Sequence, residues 1–518
     1  MGFLGLPSEI IDVVIELSLP LGIEGLALTC KALYGRAKSQ IARHNALKRR
    51  WSCTNNFSMP VGEDIVSILY EIHVDPLIAH YVEVLDLWDW PVQGSDYQED
   101  VAAKKGWGGG YIVPTDAEAV AMTREMVSGS TFFLSAHLDD FQQWWNKLFE
   151  KAEDGTLIVA AHEQWRAVVM LLGMLPNLRV LRLFPDWNGI GNSEDDDERD
   201  KEWLPGITGM VSAANARGGG DSPLSKLEAI LPYMPDGYEE RAGLLLMEPF
   251  MALNSLTEMY LVSAVAVHDG YTGIPFQWTS PNQSSSITRL ELASSCIDAE
   301  GLSNLVAHTP KLAIFKYSHE TKWHGCEHDW NPGTFVEALA RHCGNTLREV
   351  ALTIDELFGE IENGASSFLA LPNIQKLEVD LQVFCGPPVE SGQRLGGSSV
   401  IPHGDRAWTK DDIPCIGSMI PTGVKEVQIN TEHPDADVMA LVSLLKNLKD
   451  QRKERLHSLE RVIIRQYGGS SAQEIADWSG ATLEAFDDGV PVMRLRSQMP
   501  EWKREFGERV ARLAQGSR

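Results

Sequence analysis

One six-residue pattern, apolar-x-x-apolar-x-apolar, recurs along this chain and limits what it can fold into. It reads VEVLDL (82–87), LRVLRL (178–183), LTEMYL (256–261), ITRLEL (287–292) and LAIFKY (312–317). It continues as LREVAL (347–352), IQKLEV (374–379), VKEVQI (424–429) and LERVII (459–464), with a weaker tenth copy, LEAILP, at 227–232. The last three positions alternate as a half-buried strand does. Amphipathic helices are expected between copies, at 298–308, 332–343 and 435–455, and several end in a Leu-Pro-Asn or Thr-Pro-Lys turn before the next strand. The fold class is therefore α/β with parallel strands.

Strand, helix and turn at spacings of 25, 27, 31 and 35 residues resemble an irregular leucine-rich-repeat solenoid. The resemblance implies parallel strands on the concave face and helices outside. Two departures stand out: no Asn ladder is evident, and gaps of about 50 residues, 178 to 227 and 374 to 424, require insertions. An ordinary α/β domain whose parallel strands share a pattern is the alternative. On a concave face, the residue between the last two apolar positions points into the groove, as does the one two places earlier. This makes Arg182, Tyr260, Arg289, Glu291, Lys316, Glu378, Gln428 and Arg461 the candidate client-facing residues. They carry both signs of charge, which suits protein recognition better than a polyanion groove.

The charge is unevenly spread. Across 518 residues, 45 Lys and Arg face 72 Asp and Glu, a net of −27, which argues against a phosphate-backbone binder. The first fifty residues carry seven basic and four acidic groups, and all seven basic ones fall at 31–50, where there is no acid. A small module of net +3 thus precedes a body of net −30.

That module reads as three short helices. Ser8 is placed to cap the first, with Ile10, Ile11, Val14, Ile15 and Leu17 on one broad face. Pro20 and Gly22 break the chain, Ile23, Leu26, Ala27 and Cys30 form the stripe of the second, and Leu33, Tyr34, Ala37 and Ile41 that of the third. The string LPSEIIDVVIELSLPLGIEGLALTCKALY, residues 6–34, resembles an F-box, especially its fungal form. The matching positions are Leu6-Pro7, Glu9-Ile10, Val14, Leu17, Pro20-Leu21, Leu26, Thr29-Cys30-Lys31 and Leu33-Tyr34. Gly22-Ile23 replaces the more usual Asp-Leu, and Gly25 lies inside the second helix, costing about 1 kcal/mol relative to Ala. The resemblance implies docking onto a Skp-type adaptor, and through it a cullin. The adaptor-binding residues would be Leu6, Pro7, Ile10, Ile23, Leu26, Cys30 and Leu33.

The expected organisation is an F-box-like helical module at 1–50, a linker or helical segment at 51–165 holding the first repeat strand near 82–87, and a solenoid at 166–497. A Gly-, Pro- and Ser-rich insertion is expected near 385–421 and a terminal helix or tail at 498–518. Residues 88–165, rich in Trp and Gly, read as a loop with one or two helices, and the acidic run at 194–200 as a solvated loop. Seven cysteines without a secreted spacing pattern read as reduced thiols, no apolar run approaches the ~20 residues that span a bilayer, and the start lacks a basic signal-peptide region. A cytoplasmic or nuclear location follows as the expectation.

No phosphate loop, dinucleotide fingerprint, nucleophile elbow or H-E-x-x-H is present. His319, His324, Cys326 and His328, with His342 and Cys343, are the best metal-ligand set, but H-x4-H-x-C-x-H matches no standard zinc spacing. The sequence thus predicts no catalytic residue, metal or cofactor. With the F-box resemblance this implies a non-catalytic substrate receptor of a ubiquitin ligase, with an unknown client protein and neither nucleic acid nor membrane as a partner. The alternative is a non-ligase repeat scaffold whose first helices cap the array.

Overall fold

The computed structural model describes residues 3–55, 61–87, 111–112, 117–136, 141–151, 157–160, 163–185, 196–216, 219–269, 273–323, 326, 329–359, 361, 364–365, 367–385, 415–431, 438–467, 472–486, 494, 498 and 500–516. The chain divides into two compact units, residues 1–231 with 512–518, and residues 232–511.

Each copy of the hexad forms a strand, and its phase sets the register of pairing. In the first unit β1 (Cys53–Asn55) and β2 (Val84–Asp86) are followed by β3 (Tyr111–Ile112), β4 (Phe149–Lys151) and β5 (Leu157–Val159), then by β6 (Val180–Arg182) and β7 (Ala229–Ile230). Strands β1, β2, β6 and β7 run parallel in that order, with Val84, Val180 and Ala229 in one row. The short β3, β5 and β4 pair antiparallel in a separate sheet.

The second unit holds β8 (Ala242–Gly243), β9 (Glu258–Val262), β10 (Ala264–Ala266), β11 (Arg289–Ile297), β12 (Ile314–Glu320) and β13 (Glu349–Glu356). After them come β14 (Lys376–Asp380), β15 (Glu426–Thr431), β16 (Arg461–Tyr467) and β17 (Thr482–Phe486). Strand β9 pairs with β11, and β11 to β17 follow in sequence order, all parallel. Glu258, Arg289, Ile314, Glu349, Lys376, Glu426 and Arg461 stand in one row, each the third residue of its hexad. Because strand side chains alternate with a period of two, this register puts all the apolar fourth and sixth positions on one face.

On that face Leu290, Leu292, Phe315, Tyr317, Leu352, Leu377, Val379, Val427 and Ile429 are buried. The intervening helices supply the other half of the core. Ala299–Ala307 begins where the Asp298 carboxylate accepts the Gly301 amide at 2.5 Å, and Pro332–Cys343 where the Asn331 side chain accepts that of Thr334 at 3.1 Å. Phe335 of the second helix meets Tyr317 of β12 with ring centroids 5.1 Å apart.

Strand β11 changes partner along its length, pairing first with β9 and then, past Ser294, with β10. Ser263 and Ser294 stand at that step with φ of 55° and 48°. Left-handed serine costs about 1 kcal/mol or more, offset here by hydroxyl bonds from Ser263 to the Pro235 carbonyl (2.7 Å) and from Ser294 to the Asp355 carboxylate (2.9 Å).

Several elements differ from expectation. The first fifty residues form four helices, α1 (Ser8–Leu17), α2 (Ile23–Thr29), α3 (Lys31–Arg36) and α4 (Lys38–Trp51). Pro7, not Ser8, holds the first cap position, and no side chain closes it. The expected 435–455 helix is two, Val438–Leu445 and Leu448–Glu454, divided by left-handed Asn447. Helix Asp196–Asn215 covers most of the acidic run expected as a loop. Residues 117–147 carry three helices, Ala117–Ser128, Thr131–Ala136 and Phe141–Lys147, more than expected. The Trp- and Gly-rich 88–110 and most of the 385–421 insertion lie outside the described residues.

Candidate functional site

Two surfaces hold the residues singled out by sequence. The first is the helical module. Ile11, Ile15, Leu19, Ile23, Leu33 and Ala37 form its core, and Leu26, Cys30, Ile41 and Leu77 pack against them. The module also leaves apolar side chains open: Leu6 is 39% exposed and Ile10 49%, and Val13, Leu17, Leu21, Leu28 and Tyr34 are exposed as well. The seven expected adaptor contacts therefore separate. Leu6, Pro7 and Ile10 face outward. Ile23 and Leu33, 1% and 4% exposed, are core residues of the module, and Leu26 and Cys30 are shared between core and surface. A helical apolar stripe identifies a buried face but cannot tell an inner face from a partner face: the sequence reading set Leu17 on one face with Ile11 and Ile15, gave Leu21 no contact, and did not single out Val13 or Leu28.

The basic run of 31–50 is largely engaged within its own unit. Arg36 pairs with Asp12 at 2.7 Å, Arg43 with Asp75 at 2.8 Å, Lys48 with Glu24 at 3.2 Å and Arg50 with Glu71 at 3.1 Å. Buried His44 lies 2.9 Å from the Tyr81 hydroxyl and 3.2 Å from Glu24.

The second surface is the polar face of the second unit's sheet. Its side chains form a ladder of alternating charge across the strands. Arg289 meets Glu291 at 2.5 Å, Lys316 lies 3.6 Å from Glu291 and 3.8 Å from Glu349, and Lys376 lies 3.8 Å from Glu426. Arg461 pairs with Glu426, and Arg465 bonds the Gln428 amide oxygen at 3.0 Å.

The ladder is not an open groove. Helix Glu501–Ala514, expected as a cap or frayed tail, lies on it and contacts four of the eight expected client-facing residues, Tyr260, Lys316, Glu378 and Gln428. Tyr260, Glu291, Lys316, Glu378 and Gln428 are buried. Arg289 is partly covered and Arg461 exposed, while Arg182 belongs to the first unit, 3.5 Å from Asp86. The sequence reading missed the occupant because 72 acids and 45 bases allow many pairings, and only the fold selects among them.

Each contact of the helix is specific. Glu378 accepts the main-chain amides of Glu501 at 2.8 Å and Trp502 at 3.0 Å. Trp502 packs with Ala293, Ala351, Val262 and Phe506, and its indole N–H donates to Thr353 at 3.1 Å. Ala351 occupies the row in which its neighbours are Lys316 and Glu378, so a small side chain leaves room for the indole. Glu505 takes 2.8 Å bonds from both Lys316 and Lys376. Lys503 reaches Asp355, which also accepts the hydroxyls of Ser294 and Ser318, and Arg509 clamps Glu258 and the Tyr260 hydroxyl.

Electrostatics follow from burial and these partners. Burial pushes Glu505 up, but hydrogen bonds and charge from Lys316 and Lys376 outweigh it and hold the carboxyl down at about 2. Burial dominates at Glu378 and raises it, against the Arg465 charge and the Trp502 amide. Burial also raises Tyr260, reinforced by its bond to Glu258, and Arg509 is raised chiefly by its bond to Glu258.

The best metal-ligand candidates of the sequence, which match no standard spacing, are not grouped among the described residues. His319 is buried, stacked on Trp330 at 5.0 Å, and lies 2.9 Å from the Tyr317 hydroxyl. Cys326 is buried in a cluster with Val265, Val267 and Cys296, and His324 and His328 lie outside the described residues. Nearby, fully buried Lys322 bonds the Gly237 carbonyl at 2.7 Å and pairs with Glu320 at 3.3 Å. Burial lowers Lys322 and raises Glu320 to about 7. Among the described residues no three His, Cys, Asp or Glu side chains are grouped so as to hold a metal ion, and no helix is long and apolar enough to cross a membrane.

No protein-family model and no curated protein matches this chain.

Proposed function

We propose that this chain is the substrate-receptor subunit of a cullin–RING ubiquitin ligase. Its F-box-like module would dock a Skp-type adaptor, and its leucine-rich-repeat-like second unit would present a client protein. The observation that carries this reading is the exposure of six large apolar side chains, Leu6, Ile10, Val13, Leu17, Leu21 and Leu28, on a module that already has its own core. A small module exposing so much apolar surface is built to cover it with a partner. Leu6 and Pro7 precede α1 and leave the module core to other residues. The chain itself would contribute proximity and orientation, the ubiquitin chemistry belonging to other subunits.

Co-purification tests the reading. The full chain should retain a recombinant Skp-type adaptor, and Leu6→Ala with Pro7→Ala should abolish retention. A chain that captures no adaptor, or one whose capture ignores those substitutions, sinks the proposal. One observation favours the second reading, a non-ligase scaffold: Leu77 packs against the module core, as a capping unit would require. The same experiment separates the two.

A further inference from the structure

The polar face of the second unit recognises a helix by features that do not depend on chain connectivity. A strand carboxylate waits for free helix amides, two lysines flank one carboxylate, and a slot floored by Ala293 and Ala351 takes an indole. The resident helix is held differently from the helices of the core. Ala299–Ala307 buries four of its nine residues and Pro332–Cys343 seven of twelve, whereas Glu501–Ala514 buries Trp502 alone among fourteen. Beyond Trp502 it is held by the Phe506 ring against Tyr260, by Lys503 paired with Asp355 at side chains 8% and 4% accessible, and by ion pairs at more open side chains, with Glu505 42%, Arg509 32% and Lys376 21% accessible. One fully buried aromatic anchor ringed by charges, most of them partly wet, is the anatomy of a reversible interface.

We propose that this face is a helix-binding site, and that residues 501–514 are its built-in occupant, exchangeable for an amphipathic client helix of the same chemistry. The client helix presents a tryptophan near its amino-terminal end, a carboxylate one turn on and a basic residue about two turns on, copying Trp502, Glu505 and Arg509. Naming the partner a client rests on the receptor reading above; helix exchange at this face does not. Tethering sets the competition. At an effective concentration on the order of 1 mM, a helix whose own Kd is about 10 µM raises a competitor's apparent Kd roughly 100-fold.

The probe is a fluorescent synthetic peptide of residues 499–516, titrated into the full chain by anisotropy. Wild type should bind it weakly. Trp502→Ala in the chain, which loosens the tethered copy, should tighten peptide binding at least tenfold. The same substitution placed in the peptide should abolish binding, and 0.5 M salt should weaken it. The inference is overturned if a natively folded Trp502→Ala chain takes up no peptide, or takes up native and Trp502→Ala peptides alike. It is equally overturned if uptake occurs only as the chain dimerises, which would make the occupant a second copy's helix. Should Trp502→Ala not fold, Glu505→Gln, which keeps the indole, is read in the same way with a gain of several fold. Adaptor capture, measured on the same samples, reports on the receptor reading separately, so failure of one leaves the other standing.

Discussion

The carboxylate of Glu378, in the middle of β14, accepts the main-chain amide of Trp502 at 3.0 Å and that of Glu501 at 2.8 Å. A buried strand residue thus caps a helix more than 120 positions further along the chain. The first amides of a helix have no partner within it and carry the positive end of its dipole, so a carboxylate there satisfies donors and charge together.

Glu378→Ala should therefore cost about 2–3 kcal/mol, since it strands two helix amides and removes a buried acceptor. Glu378→Gln keeps an acceptor oxygen and should cost about half as much. Urea unfolding of the three proteins gives the comparison, and equal midpoints would refute the capping role.

Trp502→Ala should undock the helix without unfolding the sheet. Amide hydrogen exchange across 501–514 is expected to accelerate by about two orders of magnitude, consistent with about 3 kcal/mol for a buried aromatic. Protection of β12 should persist. Loss of protection in both would mean that helix and sheet form one cooperative unit.

The docked helix should resist acid to an unusual degree. The folded-state value for Glu505, about 2, lies below the ordinary ~4.3 of an unfolded chain. Its contribution is thus present in full above ~4.3 and lost as pH falls through about 2. With fluorotryptophan in place and the Trp502 resonance assigned through Trp502→Phe, that signal should stay native at pH 4 and change below pH 3. Glu505→Gln should dock more weakly at pH 7 and lack this step.

Within the helical module, exposed and buried positions should part company. Ile10→Glu should prevent adaptor capture at an unchanged melting temperature. Ile23→Ala or Leu33→Ala should destabilise the module by about 2–4 kcal/mol, as cavity-forming core substitutions do. Capture should then fall only in proportion to the unfolded fraction, and a melting temperature lowered by Ile10→Glu would remove the distinction.

The hexads were legible because they are local. An apolar residue at the fourth and sixth positions of ITRLEL or IQKLEV has only one face on which to hide, so class, strand positions and even register follow from spacing. Strands β1 and β17 were missed because three to five residues with mixed exposure carry no such period. The module's apolar content was equally plain, but its division was not: Ile10 and Leu17 read as one face with Ile11 and Ile15, and only packing shows which side chains enclose Leu19 and Ala37.

The sequence by itself determined an α/β chain of parallel strands with polar residues aligned in rows on one face. The tertiary structure alone decided that this face is closed. Glu378, Lys316, Lys376 and Ala351 become a helix socket only when three strands set them side by side, and Trp502 finds it from far along the chain. Burial of an apolar face is written at short range, whereas a pairing of charges depends on distances that exist only after folding.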